Sequence, residues 1–410
     1  MRKVNIIITV LFLLTSSVVF GQQELSTYLK VGAENNPGLQ ARFKEYMAAL
    51  EVAPQVKALP DPQLAFAYFI KPVETRVGPQ EFKFSASQMF PWFGTLKAKE
   101  NIAIQNAKAK YEVFQDAKSK LFSDISANYY NIYFNRKAIS ITMENLEILS
   151  AFQKLAIIKV EAGLVSAVDE YRIEMEIGDL QNQLDLLTDK QQVLEIAFNN
   201  LLNTDKLNMV NTPEILWEDD IRFTKEVLLD SVKSNNHKLL GIALQQESLK
   251  YKRVLADKQG KPSFNLGLDY TIVGKGENNL AGKDAFIFPK VGITVPLYRN
   301  KYKAMIKEVV LLETAKEMDK ANTLNMLESI FENSWKDYKD GHRRIALYIA
   351  QLELANKSLN LLETDYATGN KHFEEILRME RKVLKYNLEL EKARADKQAA
   401  IAFINYLMGK

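Results

Sequence analysis

The chain has no cysteine. That excludes disulfide frameworks, thiolate metal sites, cysteine nucleophiles and a lipid anchor on an N-terminal cysteine. Histidine is nearly absent: His237, His342 and His372 are the only three, and their scatter leaves little material for a metal centre or an acid/base pair. A surplus of either charge is missing too, because 54 Lys and Arg face 51 Asp and Glu, for a formal charge of +3. Removal of an N-terminal leader carrying Arg2 and Lys3 leaves +1, so no broad attraction to nucleic acid or acidic lipid follows. His-Glu-x-x-His, nucleophile-elbow, P-loop and dinucleotide patterns are all lacking, so neither an enzyme, a cofactor nor a metal site is expected. Gly274-Lys275-Gly276-Glu277 has neither the spacing nor the following helix of a phosphate loop and reads as an ordinary loop.

Long apolar runs are confined to the amino terminus. Arg2 and Lys3 precede an apolar run from Val4 to Phe20 and then Gly21, the layout of a signal peptide spanning 1–21; a membrane anchor is the alternative. No later segment reaches 18 consecutive apolar residues, so any further membrane crossing must use strands. At 47% hydrophobic and 26% charged residues, the 410-residue chain can bury a sizeable core.

Proline punctuates the rest unevenly. It clusters from Pro37 to Pro91, stands alone at Pro213 and clusters again from Pro262 to Pro296. The two proline-free gaps, each about 115 to 120 residues, are rich in Ala, Leu, Glu, Lys and Gln. Ile177, Leu180, Leu184, Leu187, Leu194, Phe198 and Leu201 keep helical spacing in the first gap, and Leu324, Leu327, Phe331, Trp335 and Tyr338 in the second. Ile376, Leu377, Val383, Leu384 and Leu388 extend the second stripe, a pattern that predicts coiled-coil-like packing.

Each gap is broken once, at Glu161 to Ser166 and at Tyr366 to Lys371, where a glycine suited to a left-handed C-cap is followed by a polar helix start. These are helical hairpin tips. Gly178 and Gly341 lack such flanks and read as tolerated helix glycines. Helices are expected at about 95–162, 166–203, 301–368 and 372–409, the longer pair being roughly 100 Å each.

The two halves match at an offset of about 200 residues. Asn35-Asn36 corresponds to Asn235-Asn236, Phe90-Pro91 to Val295-Pro296, Gly163 to Gly369, and Ala197-Phe198-Asn199 to Ala402-Phe403-Ile404. That is a tandem duplication. The repeats are expected at 22–203 and 222–410, with 204–221 as a linker or equatorial region.

Each repeat carries two alternating stretches, at about 63–70 and 81–90 and at about 263–272 and 286–295. Leu64, Phe66, Tyr68 and Ile70 alternate with small residues, and Phe264, Leu266, Leu268 and Tyr270 with Asn265, Gly267 and Asp269. Such strands could half-bury in a soluble sheet. Their length and terminal aromatics also suit a bilayer, and four strands cannot close a barrel, so a membrane location demands an oligomer. The segments 71–80 and 273–285 read as polar loops joining each pair.

The leader, the duplicated strand-pair-plus-hairpin unit, the glycine-marked tips and the Ala-Phe-x-Asn half-ends together resemble the TolC-like outer-membrane efflux proteins. Ser87-Gln88-Met89-Phe90-Pro91-Trp92-Phe93-Gly94, after Leu59-Pro60-Asp61-Pro62, looks most like their heavy-metal and multidrug branch. The resemblance implies an α+β, mostly helical membrane protein. Its homotrimer would form a twelve-stranded β-barrel in outer-membrane lipid, continued by a twelve-helix tunnel in the periplasm. It also implies two partners, a periplasmic adaptor (membrane-fusion) protein and an inner-membrane transporter of the resistance-nodulation-division type.

Roles follow by resemblance at matching positions. Asp169, Tyr366 and Lys371 fall where the family links neighbouring hairpins and holds the periplasmic end shut. Glu375 falls at the acidic aperture position, although Arg378 stands where a second acid is expected; an exposed helix face is the other reading of Glu374 and Glu375. Ala162, Gly163, Leu164, Thr368, Gly369 and Asn370 match adaptor-contacting tips, and a plain C-cap accounts equally for the glycines. The expectation is an exit duct for toxic metal cations or drugs, against a periplasmic coiled-coil scaffold or a protein-secretion duct of the same fold.

Overall fold

A computed structural model describes residues 22–163, 165–276, 282–367 and 373–410. The expected signal peptide and Leu164, Thr368, Gly369, Asn370 and Lys371 at the tips lie outside the described residues.

In chain order the elements are α1 (22–35), α2 (Pro37–Leu50), α3 (Val52–Lys57), β1 (Gln63–Thr75), β2 (Gly78–Phe90), α4 (Thr95–Glu161), α5 (Ala167–Leu202), α6 (Lys225–Asn235), α7 (His237–Gln259), β3 (Ser263–Val273), β4 (Ala285–Thr294), α8 (Arg299–Ala367) and α9 (Phe373–Leu407). The proline-free gaps become helices of 67 and 69 residues, each followed by a shorter partner of 36 and 35. Helices α2 and α3 form despite proline because Pro37 opens one and Pro54 lies in the first turn of the other, where no intrahelical N–H is needed.

The chain divides into two units. One unites the chain up to Ala41 with Gln115–Asn236 and Leu324–Lys410; the other unites Arg42–Phe114 with His237–Thr323. The second unit holds an antiparallel sheet of order β1-β2-β3-β4. Its register puts Phe66 opposite Phe84, Phe84 opposite Tyr270 and Tyr270 opposite Phe286, so most of the large apolar residues share one face, while Ile287, opposite Asp269, and Met89, opposite Asn265, lie on the other. That face is uncovered: Leu64 is 81% exposed and Ile70 87%. The opposite face carries Ser85, Gly267 and a buried Asp269 that ion-pairs Lys83 at 2.9 Å and Lys290 at 3.1 Å. Neither β1 nor β4 has a neighbour on its outer side among the described residues.

The expected polar loop at 71–80 is corrected by the structure. Strands β1 and β2 pair on through Thr75 and Gly78, leaving only Arg76 and Val77 to turn, because Gly78 (φ 132°) supplies the conformation that closes a short hairpin.

In the first unit the duplication is visible as matching hydrogen bonds. The Asn36 side chain donates to the Leu201 carbonyl and the Asn236 side chain to the Leu407 carbonyl, both at 2.9 Å. Asn203 and Gly409 end the two returning helices in the left-handed region, at φ 52° and 75°. Residues 203–224 carry neither helix nor strand and lie on the helices through buried Leu216 and Trp217. The Leu216 N–H donates to the Tyr133 hydroxyl at 3.2 Å, and Asp220 ion-pairs the buried Lys397 at 2.6 Å.

Gly341 is not a merely tolerated helix glycine. A Cβ there would lie 2.9 Å from Cβ and 3.1 Å from Cα of Lys397, so α8 and α9 approach backbone to backbone at this point. Gly178, by contrast, has nothing within 4 Å of such a Cβ.

Candidate functional site

The hairpin ends lie in the first unit. At the first tip Gly163, with φ 68°, donates to the Val160 carbonyl at 2.9 Å and ends α4, and Ser166 caps α5 by accepting from the Val168 N–H. A Cβ on Gly163 would meet nothing within 4 Å, so this turn is open on its outer side. Ala162 is exposed beside it.

Behind the tips α4, α5, α8 and α9 share one core that joins Tyr366 with Leu149, Ile173, Leu180, Phe373, Ile376 and Leu377. Tyr366 is 2% exposed and its ring lies 5.3 Å from that of Phe373. Lys159 reaches across from α4, with Nζ 3.5 Å from the Tyr366 ring centroid and 2.7 Å from its carbonyl oxygen. A cation thus sits on the carboxyl end of α8, where the helix dipole favours it. The Tyr366 hydroxyl is buried and has no hydrogen-bond partner among the described residues. Burial, and secondarily the charge of Asp169, hold its phenol above the ordinary tyrosine value.

Asp169 does not reach that hydroxyl. It ion-pairs with Arg172 at 3.5 Å, one turn on, and Arg172 also reaches Glu374 on α9 at 3.3 Å. A second link joins the same helices: Arg381 pairs with Glu176 at 2.6 Å. Glu375 and Arg378 face each other at 3.3 Å on the α9 surface, so the expected aperture carboxylate has a cation beside it in the same chain. Both are exposed. Of the proposed latch residues, Tyr366 and Asp169 are brought to the same end of the unit, and Lys371 lies outside the described residues.

Four side chains were not singled out from the sequence. Lys159 and the Arg172 and Arg381 bridges sit on polar faces with no pattern to mark them. Glu380 had a readable signal, because it falls on the apolar stripe of Ile376, Leu377 and Leu384. It is 3% exposed, with the Asn145 amide 3.5 Å away. Burial, reinforced by the neighbouring charge of Glu363, raises its carboxyl to about 7. Among the described residues no cluster of three or more acidic or histidine side chains is arranged to hold a metal ion.

Residues 30–204 match the family model described as outer membrane efflux protein. No curated protein matches the chain by sequence. Solved structures do match its fold. The outer membrane protein VceC from Vibrio cholerae superposes with a TM-score of 0.77 at 14% identity, over 94% of this chain and 96% of that one. The outer-membrane channel OprN gives 0.79 at 14% identity, over 94% and 90%. The open state of the MtrE outer membrane channel of Neisseria gonorrhoeae gives 0.75 at 14% identity, over 94% and 89%. The chain therefore has the fold of these outer-membrane channels, and the family model matches its residues 30–204.

Proposed function

We propose that this chain, with an efflux-channel fold and the family match in its first half, is the passive exit duct of a tripartite efflux system. Three copies close one twelve-stranded barrel in the outer membrane, and their long helices continue the duct through the periplasm. The observation that carries this is the four-stranded sheet itself. Leu64, Phe66, Tyr68, Ile70 and Val291 on one of its faces are all exposed, and both of its edges are unpaired among the described residues. In water such a face and such edges are costly; in lipid the face is satisfied and the edges require neighbours. Three sheets of four strands give an even-stranded closed barrel with Lys83, Asp269 and Lys290 on the lumen side.

The partners that complete this reading are a periplasmic adaptor meeting the tips at Ala162, Gly163, Leu164, Thr368, Gly369 and Asn370, and an inner-membrane pump that selects the cargo. The cargo class is toxic metal cations or drugs. Tyr366, Asp169 and Lys371 act as the latch of the closed end. In that end the Tyr366 hydroxyl, buried and without a partner among the described residues, is a donor available to a carboxylate of a neighbouring hairpin. Glu375 forms the aperture ring, moderated by Arg378.

The test is fractionation followed by electrophysiology. The mature protein should be recovered from outer-membrane fractions as a heat-sensitive trimer, conduct in planar bilayers, and restore toxicant resistance to a deletion strain. A detergent-free soluble monomer would refute the reading.

A further inference from the structure

Charge within the sheet is sparse and one-sided. The strand residues 63–68, 82–90, 263–272 and 285–294, on the helix side of the register shifts at Tyr68 and Gln80, contain three charged side chains: Lys83, Asp269 and Lys290. The register puts all three on the face opposite the exposed aromatic one, with Lys83 across from Thr271, Asp269 across from Ser85 and Lys290 across from Gly267. The Asp269 side chain is 5% exposed and pairs with Lys83 at 2.9 Å and Lys290 at 3.1 Å, whereas the two lysine side chains are 36% and 56% exposed. One lysine would neutralise the acid. The second is in excess, so this face of each sheet carries a net positive charge. Ala67, Ser85 and Gly267 beside the triad are small, which leaves the ammonium groups open to whatever passes over that face.

Toward the helices the same face leads into a cavity of about 470 Å³. Met89, Ser263 and Thr294 line it from the strands together with Lys99, Lys258 and Lys261, and no acidic residue is in its lining. Lys258 donates to the Phe93 carbonyl at 3.1 Å, and Lys261 has Asp257 at 4.0 Å. At the other end of the sheet Lys71, Glu74 and Glu81 lie beyond the register shifts, and the Glu81 carboxylate is turned against Gly274. Positive charge therefore predominates along the polar face from the triad to the helices.

We propose that this face makes the barrel a charge filter that favours anionic cargo over cations of similar size. Three copies set six lysines against three aspartates in one collar around the lumen, and ions passing within a Debye length, about 10 Å at 0.1 M salt, feel its excess charge. The inference rests on the sheets closing one barrel and deepens that reading by narrowing the cargo: anionic compounds are favoured at the exit and free metal cations are disfavoured.

The test measures anion-over-cation permeability of the full-length trimer in planar bilayers, from reversal potentials under a shallow KCl gradient. Asp269→Asn raises the excess to two positive charges per chain, while Lys83→Gln and Lys290→Gln each leave Asp269 with a single lysine and no excess. Preference for chloride should be greatest in Asp269→Asn, intermediate in the wild type and least in the two lysine variants, by roughly twofold or more per step at about 0.1 M salt. Lys83→Gln and Lys290→Gln should agree with each other, so the comparison stands even where Asp269→Asn does not assemble. The steps should widen at about 0.01 M and close up near 1 M, where the Debye length is about 3 Å. An aromatic sulfonate should follow the order of chloride, and a quaternary ammonium ion of similar size the reverse. Charges elsewhere along the duct are common to all four proteins and cancel from the comparison. A chloride preference that is the same across the series, or that falls in Asp269→Asn, would overturn the filter while leaving the channel intact. Wild-type protein that inserts no conducting trimer would sink the channel reading and the filter with it.

Discussion

Glu380 offers the most quantitative test of the packing at the hairpin end. Its carboxyl is raised from an ordinary 4.5 to about 7 by burial among Ile376, Leu377 and Leu384, with Glu363 adding repulsion. The folded state therefore holds the proton more tightly than the unfolded chain does. The stability contributed by the protonated acid is complete below pH 4.5 and is lost as pH rises to about 7, beyond which the loss is constant. At about 1.36 kcal/mol per pH unit, the interval from 4.5 to about 7 amounts to about 3 kcal/mol. Glu380→Gln keeps the shape and the Asn145 contact while removing the titration. At pH 8 the variant should be more stable by about 2 to 3 kcal/mol, which for a unit of this size raises the melting midpoint on the order of 5 to 10 °C. At pH 4.5 the two proteins should melt together. Thermal melts of the helical circular-dichroism signal from pH 4.5 to 8.5 measure the first quantity. Hydrogen exchange over 373–390 shows whether the gain resides in α9. A difference independent of pH, or a variant less stable at pH 8, would refute the assignment of Glu380 as a buried, proton-holding acid.

Other substitutions probe the remaining features. Gly341→Val should destabilise by at least about 2 kcal/mol through overpacking against Lys397, whereas Gly178→Ala, with open space around it, should stabilise by about 0.5 to 1 kcal/mol; urea or thermal unfolding reads both. Tyr366→Phe and Asp169→Ala should each raise single-channel conductance in planar bilayers, and unchanged conductance in both would remove the latch. Because Glu375 and Arg378 offset each other, Arg378→Gln should increase cation selectivity, read as a reversal-potential shift, and Glu375→Gln should reduce it. Phe66→Arg places a charge on the exposed apolar face and should cost about 2 to 4 kcal/mol of membrane stability, seen as loss of the heat-sensitive trimer.

The long helices and the sheet were legible because their signals are local and repeated: proline-free gaps, stripes at helical spacing and period-two alternation at Leu64 to Ile70. The duplication could be read from short matched stretches, and its meaning is structural, since Asn36 and Asn236 make the same bond to the end of the same helix in each half. Helices α2 and α3 were not legible, because short helices among prolines carry little periodicity, and α6 and α7, in the proline-free stretch between Pro213 and Pro262, went unread beside the longer gaps. The extent of the first hairpin was misjudged because Lys71, Glu74 and Gln80 are polar for the sake of surface exposure, which strands share with loops. Gly341 could not be read at all: its need for a missing side chain depends on Lys397, 56 positions away in the chain. In the tip region, sequence matching located Tyr366 and Asp169, and only coordinates could show that Asp169 spends its charge on Arg172 rather than on the phenol.

The unpaired margins of β1 and β4 have a consequence for biogenesis. One sheet cannot enter the bilayer alone without stranding its edge amides in hydrocarbon, so in the proposed channel the association of three chains must precede or accompany insertion. Cells co-expressing equal amounts of an intact chain and one with a spoiled edge would build only about one fully intact trimer in eight. Lesions in these marginal strands should accordingly behave as dominant negatives, while lesions that prevent a chain from folding should behave as simple nulls.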